Sequence, residues 1–257
     1  MKITNYPQYI DLKSKVVLIT GGGSGIGASF VKAFAIQGSQ VAFVDINKKS
    51  SEKLVNEISS KHTKPKFINC NLEDIDNFVK EIGKVEDELG PIRVLINNAA
   101  NDQRHEPKDV TPEYWEERFR LNLNHYFFAA QTVRKKMADA GGGAIINMGS
   151  ISWHMAMDFM PGYTTSKAAI EGLTQSLARA YGNDLIRVNC IVPGQIWTAK
   201  QMNEHLSPEY EKFMMDKQCL PEKILPEDVA QLALFLASDA GRMCTRRNFF
   251  IDAGIGA

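Results

Sequence analysis

The chain has 257 residues, a length one large α/β domain can fill, and 44% apolar with 23% charged residues is the composition of a globular protein in water. Thirty Lys and Arg balance thirty Asp and Glu, so the formal net charge is zero. That balance excludes a nucleic-acid binder held by a basic surface and a polybasic membrane-surface protein, and it leaves little repulsion between copies of the chain.

Residues 1–15 carry no apolar leader core, and the densest apolar stretch, 232–237, is far too short to span a bilayer. Cys70, Cys190, Cys219 and Cys244 lie at no metal-type spacing and are too few for a disulfide framework, and the five histidines are scattered. A cytoplasmic protein without metal is the expectation.

Short apolar runs alternate with longer amphipathic ones along the chain. Residues 16–20 predict a strand that stops at glycines, 25–37 a helix closed near Gly38, 41–45 a second strand and 48–60 a second helix. Strands at 66–70 and 92–96 flank a charged helix at 75–89. Thr111-Pro112 is a start signal for one long helix over 113–138. A strand at 144–148, a helix at 163–181, a strand at 186–191, a helix at 227–237 and a strand at 249–251 complete the series. The strands are apolar throughout, as in strands buried on both faces, and their alternation with helices requires crossover connections. The predicted fold is a doubly wound parallel α/β sheet in one domain spanning 1–257. Ligands in such sheets bind beyond the carboxyl ends of the strands.

After the first strand comes Thr20-Gly21-Gly22-Gly23-Ser24-Gly25-Ile26-Gly27. Glycines there permit a tight turn and close approach of backbone to a pyrophosphate, and the following helix offers free N–H groups. A plain strand–helix turn uses the same residues, but Asp45 ends the second strand at the distance expected of a ribose-binding carboxylate. Its charge would repel a 2′-phosphate, and the glycine turn has no Arg or Lys to offset it, so NAD is favoured over NADP. Lys48 and Lys49 read as solvated residues at a helix start.

Tyr163 and Lys167 are four apart on a predicted helix and share a face. An ammonium near a phenol lowers its pKa, and such a tyrosine can take a proton from a substrate hydroxyl. Ser150, just past the strand at 144–148, can hold the substrate oxygen. A Tyr-x-x-x-Lys pair alone is more often a plain helix-surface pair; its co-occurrence with the glycine turn and Ser150 is what carries information.

Taken together, Thr20–Gly27, Asn97-Asn98-Ala99, Asn122, Ser150, Tyr163-x-x-x-Lys167, Pro193-Gly194 and Asp252-Ala253-Gly254 make the chain resemble the short-chain dehydrogenase/reductase family over nearly its whole length. The resemblance implies a sheet of about seven strands, a dinucleotide-binding half in 14–150, a catalytic and substrate half in 150–257, and a homotetramer. It assigns substrate positioning to Ser150, acid/base chemistry to Tyr163, cofactor ribose binding and tuning of Tyr163 to Lys167, and a proton relay to Asn122. It places Gly21, Ser24, Gly25, Ile26, Gly27, Asp45, Ile46, Asn71, Leu72 and Asn98 along the dinucleotide. Pro193, Gly194, Ile196 and Thr198 would flank the nicotinamide. Asn71 stands where the family usually has Asp, Ala100 where Gly is frequent, and Arg246 where Gly is common.

Two segments at strand ends are distinctive: Asn101-Asp102-Gln103-Arg104-His105 and Ser150-Ile151-Ser152-Trp153-His154. Their polar groups and one indole suit a neutral, many-hydroxyl ring better than a steroid or acyl chain. Read singly, Arg104 and His105 serve equally as a solvated loop and Trp153 as a core or interface indole. These segments, with Phe235–Asp239 and Ile251–Gly254, resemble the bacterial NAD-dependent aldose 1-dehydrogenases, which makes Asn101, Ser150, Trp153, Tyr163 and Gln195 candidate sugar contacts. The expected reaction is oxidation of the anomeric hydroxyl to a lactone. Ketoacyl, steroid and secondary-alcohol chemistry on the same scaffold, and NAD binding without catalysis, are the alternatives.

Overall fold

A computed structural model of the chain describes residues 6–204 and 207–256; residues 1–5, part of the stretch read above for a leader, lie outside them. Seven parallel strands form one sheet in the order β3-β2-β1-β4-β5-β6-β7. They are β1 Val16–Thr20, β2 Gln40–Asp45, β3 Lys66–Asn69, β4 Ile92–Asn97, β5 Gly143–Met148, β6 Ile186–Pro193 and β7 Asn248–Ile251. The central strands are β-branched runs with every residue of β1 buried, which is why their sequences show no polar alternation. Chain order reverses between β1 and β4, so the carboxyl ends of these two strands open a crevice at the switch point.

Helices cover both faces. Helices α1 (Gly25–Ile36), α2 (Lys48–Ser59) and α9 (Pro226–Ala237) pack Phe30, Phe34, Leu54, Val229 and Leu234 on one side. Helices α3 (Ile75–Leu89), α5 (His125–Asp139) and α6 (Pro161–Tyr181) pack Phe78, Ile82, Val133 and Leu177 on the other. Each fully buried Phe, Leu or Val contributes about 1.5–3 kcal/mol. Side chains of Asn47, Asp74 and Thr111 cap α2, α3 and α4 (Pro112–Phe119), as their positions before the apolar periodicity predict.

Two features differ from the sequence reading. The long helix over 113–138 is broken into α4 and α5 by a π-helical turn at Arg120–Asn124, whose buried member is Asn122. A π-turn changes the backbone ladder only locally, and the segments on either side still read as helix. Helices α7 (Ala199–Glu204) and α8 (Pro208–Lys217) fill the stretch between β6 and α9, where no element is predicted. Arg246 takes the left-handed conformation (φ 62°) that glycine favours, and its guanidinium Nε donates to Gln175 Oε1 at 2.8 Å.

Candidate active site

The glycine turn is held from three sides. Gly21 has φ 66° and donates its N–H to the Val44 carbonyl at 2.7 Å. A Cβ on Gly27 would stand 1.9 Å from the Gly21 carbonyl oxygen, so no larger residue fits where α1 leaves the turn. Asn98 Nδ2 donates to the carbonyls of Thr20 at 3.0 Å and Gly21 at 3.1 Å. Asn98 therefore braces the glycine turn from the end of β4. Ser24 precedes α1 without a side-chain cap, which leaves first-turn N–H groups of Gly25, Ile26 and Gly27 free of any side-chain acceptor from it.

At the end of β2, Asp45 Oδ2 accepts the Gly23 N–H and Oδ1 the Asn47 N–H, both at 2.8 Å. The next side chain, Ile46, is 72% exposed, an apolar surface at the mouth of the crevice with no core to join. Asn71 accepts the Glu73 N–H in a local turn, and Leu72 is buried beside it. Lys48 is exposed and pairs with Glu52. An uncapped helix start, a cradle that a Cβ would fill, a fixed carboxylate and an exposed Ile46 together fit a nicotinamide dinucleotide.

Beyond β5 the polar groups converge. Lys167 is 1% exposed, yet its Nζ donates to the Met148 carbonyl at 2.7 Å and the Tyr126 hydroxyl at 3.2 Å. Its ammonium lies 5.5 Å from the centre of the Tyr163 ring. Burial pushes Lys167 down to about 8, against the pull of Cys190 and Asp102. Tyr163 moves the other way from the sequence expectation: burial raises its phenol, Asp102 raises it further, and a hydrogen bond with Ser150 only partly opposes them. The physical reason is that desolvation of a phenolate outweighs a cation whose donors are directed at Met148 and Tyr126. Ser150 Oγ also accepts the Ser152 N–H at 3.1 Å.

The loop after β4 ties this cluster together. Asn101 and Asn122 exchange two hydrogen bonds, Asn101 N–H to Oδ1 at 2.7 Å and Asn122 Nδ2 to the Asn101 carbonyl at 3.2 Å. Asn101 Oδ1 accepts the Gln103 N–H. Asp102 Oδ2 accepts from Gln201 Nε2 on α7 at 2.7 Å, and Arg104 lies over the rings of Phe159 and Tyr210. His105 joins Gly162 at the start of α6. Asp102, Arg104 and His105, read above as loop or pocket residues, thus link the loop to α7, α8 and α6.

From the other side, the Pro193 carbonyl accepts the Ile151 N–H, so the segment after β6 carries the Ser150 loop. Gly194 packs on Asp252, Ile196 bridges to Ile224, and Thr198 faces Gly25. Gln195 is half-buried within this segment. Trp153 is tied to α6. Its indole N–H donates to Glu171 Oε1 at 2.8 Å, and Glu171 lies two helical turns, about 12 Å, along α6 from Tyr163. His154 stacks on the indole and Asn248 bonds the second carboxylate oxygen. Glu171 and Tyr126 gave no sequence signal, because a lone Glu on a helix reads as solvated and a lone Tyr as core.

A family model described as enoyl-(acyl carrier protein) reductase matches residues 21–256. The chain is 46% identical over 246 residues to a D-xylose 1-dehydrogenase of Caulobacter vibrioides, covering 96% of this chain and 97% of that one. It is 43% identical to a probable galactose dehydrogenase of Rhizobium meliloti, with the same coverage. A crystal structure of a blue fluorescent protein from a metagenomic library in complex with NADPH superposes with a TM-score of 0.88 at 31% identity, covering 96% of this chain and 100% of that one. The chain belongs to the short-chain dehydrogenase/reductase family and is an oxidoreductase acting on CH–OH groups with a nicotinamide cofactor. No described helix is long and apolar enough to cross a membrane.

Proposed function

We propose that this protein oxidises the anomeric hydroxyl of a neutral aldose to the sugar lactone, with NAD as the preferred cofactor. The observation that carries the reading is the convergence of Ser150, Tyr163 and Lys167 beneath the polar Asn101–His105 loop. The likeness to two sugar dehydrogenases supports the substrate class.

Ser150 donates a hydrogen bond to the substrate oxygen and holds it beside Tyr163. As the phenolate, Tyr163 Oη takes the anomeric hydroxyl proton while the carbonyl of the lactone forms. When bound, the nicotinamide ring supplies the acceptor for the C1 hydride. Lys167 binds the nicotinamide ribose and holds positive charge under the Tyr163 ring, which lowers the energy of the phenolate. Asn122 fixes Asn101 and would hold a water in the proton relay that runs to Lys167. Asn101 and Gln195 bind the sugar hydroxyls. Asp45 accepts hydrogen bonds from the adenosine ribose and disfavours a 2′-phosphate. The lactone opens to the aldonic acid in water. The expected working form is a cytoplasmic homotetramer.

The test is a panel of pentoses and hexoses with NAD and with NADP, followed by absorbance of the reduced cofactor. Turnover of at least one aldose with NAD, above that of ketoacyl, steroid and simple secondary-alcohol substrates, is expected. No turnover of any aldose would refute the reading.

A further inference from the structure

We infer that His105 is a positioning residue for the reaction: its imidazole caps the helix that carries Tyr163 and Lys167, from a loop 57 residues upstream. The inference rests on the catalytic role proposed for α6.

A helix start leaves N–H groups without partners, and the residue before it normally supplies a side-chain acceptor. Helix α6 has Met160 in that position, with no side-chain cap hydrogen bond. Pro161 has no N–H, and the N–H groups of Tyr163 and Thr164 both reach the Met160 carbonyl at 3.0 Å. The Gly162 N–H remains, and it donates to His105 Nε2 at 3.2 Å. The residue immediately after Gly162 is Tyr163.

The imidazole is fixed on its other edge. Nδ1 lies 3.0 Å from the Gln103 carbonyl and 3.0 Å from the Tyr114 hydroxyl, and the Tyr114 ring meets it edge-on. The His105 N–H donates to the Phe159 carbonyl at 2.8 Å, so ring and backbone both hold the segment that leads into α6. A bare Nε2 requires the proton on Nδ1, where the Gln103 carbonyl accepts it. Arg118, buried against Gly162 and over the Tyr114 ring, adds positive charge on the α4 side, with Glu117 as its partner. Asp102, Arg104 and Glu106 stand in the same loop, and Tyr163 follows on α6. Protonation of Nε2 would set a donor against the Gly162 N–H at the positive end of a helix dipole.

The same loop holds Asn101 and Asn122 at one end and the start of α6 at the other. His105 thereby sets the distance between the loop proposed to bind substrate and the phenol proposed to take its proton.

Three measurements test this. In the folded wild-type protein, nitrogen-15 NMR of the imidazoles should find His105 protonated at Nδ1 near neutral pH; protonation at Nε2 alone would overturn the inference whatever the substrate proves to be. His105→Gln keeps an acceptor at the Nε2 position, and His105→Leu removes it. His105→Leu should lower kcat about tenfold, the effect of a lost cap, with little change in NAD affinity. His105→Gln should recover most of that loss. Hydrogen exchange at Gly162–Ser166 should quicken in His105→Leu alone. Wild-type kcat in His105→Leu, or equal impairment in both variants, would overturn the inference. Failure of wild type on every aldose would instead refute the substrate class, and the NMR and exchange results would still decide the role of His105.

Discussion

Asp45 and Gly23 are joined by a 2.8 Å hydrogen bond from the glycine N–H to one carboxylate oxygen, with the other oxygen held by Asn47. The carboxylate is thereby fixed at the mouth of the crevice before any ligand arrives. Replacing it with Asp45→Asn keeps an acceptor but removes the charge, and Asp45→Ala removes both. The ratio of kcat/KM for NADP to that for NAD should rise about tenfold or more in both variants, since a fixed charge opposite a phosphate is worth at least one hydrogen bond to a charged group. An unchanged ratio would show that another residue selects the cofactor.

Burial and then the Asp102 carboxylate raise the Tyr163 phenol, while the Lys167 ammonium lies 5.5 Å from its ring centre. The role of Tyr163 is separable from cofactor binding because the hydroxyl is the only group removed by Tyr163→Phe. Turnover should fall by about 100- to 10,000-fold, the range of a lost general base, while NAD affinity stays near wild type. Equilibrium NAD titration beside steady-state kinetics makes the check. A variant that turns over normally would move the proton-transfer role to another group.

The fold was legible because strands buried on both faces need unbroken apolar runs, and those runs stop at Thr20, Asp45 and Met148 with glycines, acids and Ser150 just beyond. Asn122 was legible only through family resemblance; the π-turn that buries it does not alter the apolar spacing of the helices on either side. The α7 and α8 helices are short, six and ten residues, and lie in a stretch with no glycine turn or apolar strand to mark where an element starts. The direction of the Tyr163 shift could not be read from a four-residue spacing. That spacing puts Lys167 on the same face, but only the fold shows its ammonium buried and bonded to the Met148 carbonyl.

His125 gives the stability of the protein a pH signature. It is fully buried, its Nε2 lies 3.1 Å from the Ala99 carbonyl, and burial, with Lys167 nearby, pushes its pKa down from 6.5 to about 3. A histidine held neutral in the fold takes up a proton on unfolding below its unfolded pKa. The stability it lends is complete above pH 6.5 and is lost as pH falls toward 3. At pH 5 the loss is about 2 kcal/mol. Urea midpoints of wild type and His125→Asn, taken from pH 7.5 downward, should converge as the pH falls. Parallel curves would show that His125 is not the group responsible.

Trp153 separates a pocket role from a structural one. Its indole N–H meets Glu171, whose carboxylate also receives His154 and Asn248, joining the Ser150 loop to α6 and the edge strand β7. Trp153→Phe keeps a ring of similar shape and removes only the donor. The buried Glu171 then lacks one partner, which should lower stability by about 1–2 kcal/mol. The sugar KM should be unchanged, because Glu171 sits two turns of α6 from Tyr163. Urea unfolding and substrate kinetics on the same preparation decide between the roles. A raised KM with wild-type stability would place the indole against the sugar after all, and would require the loop to turn it away from Glu171 when substrate binds.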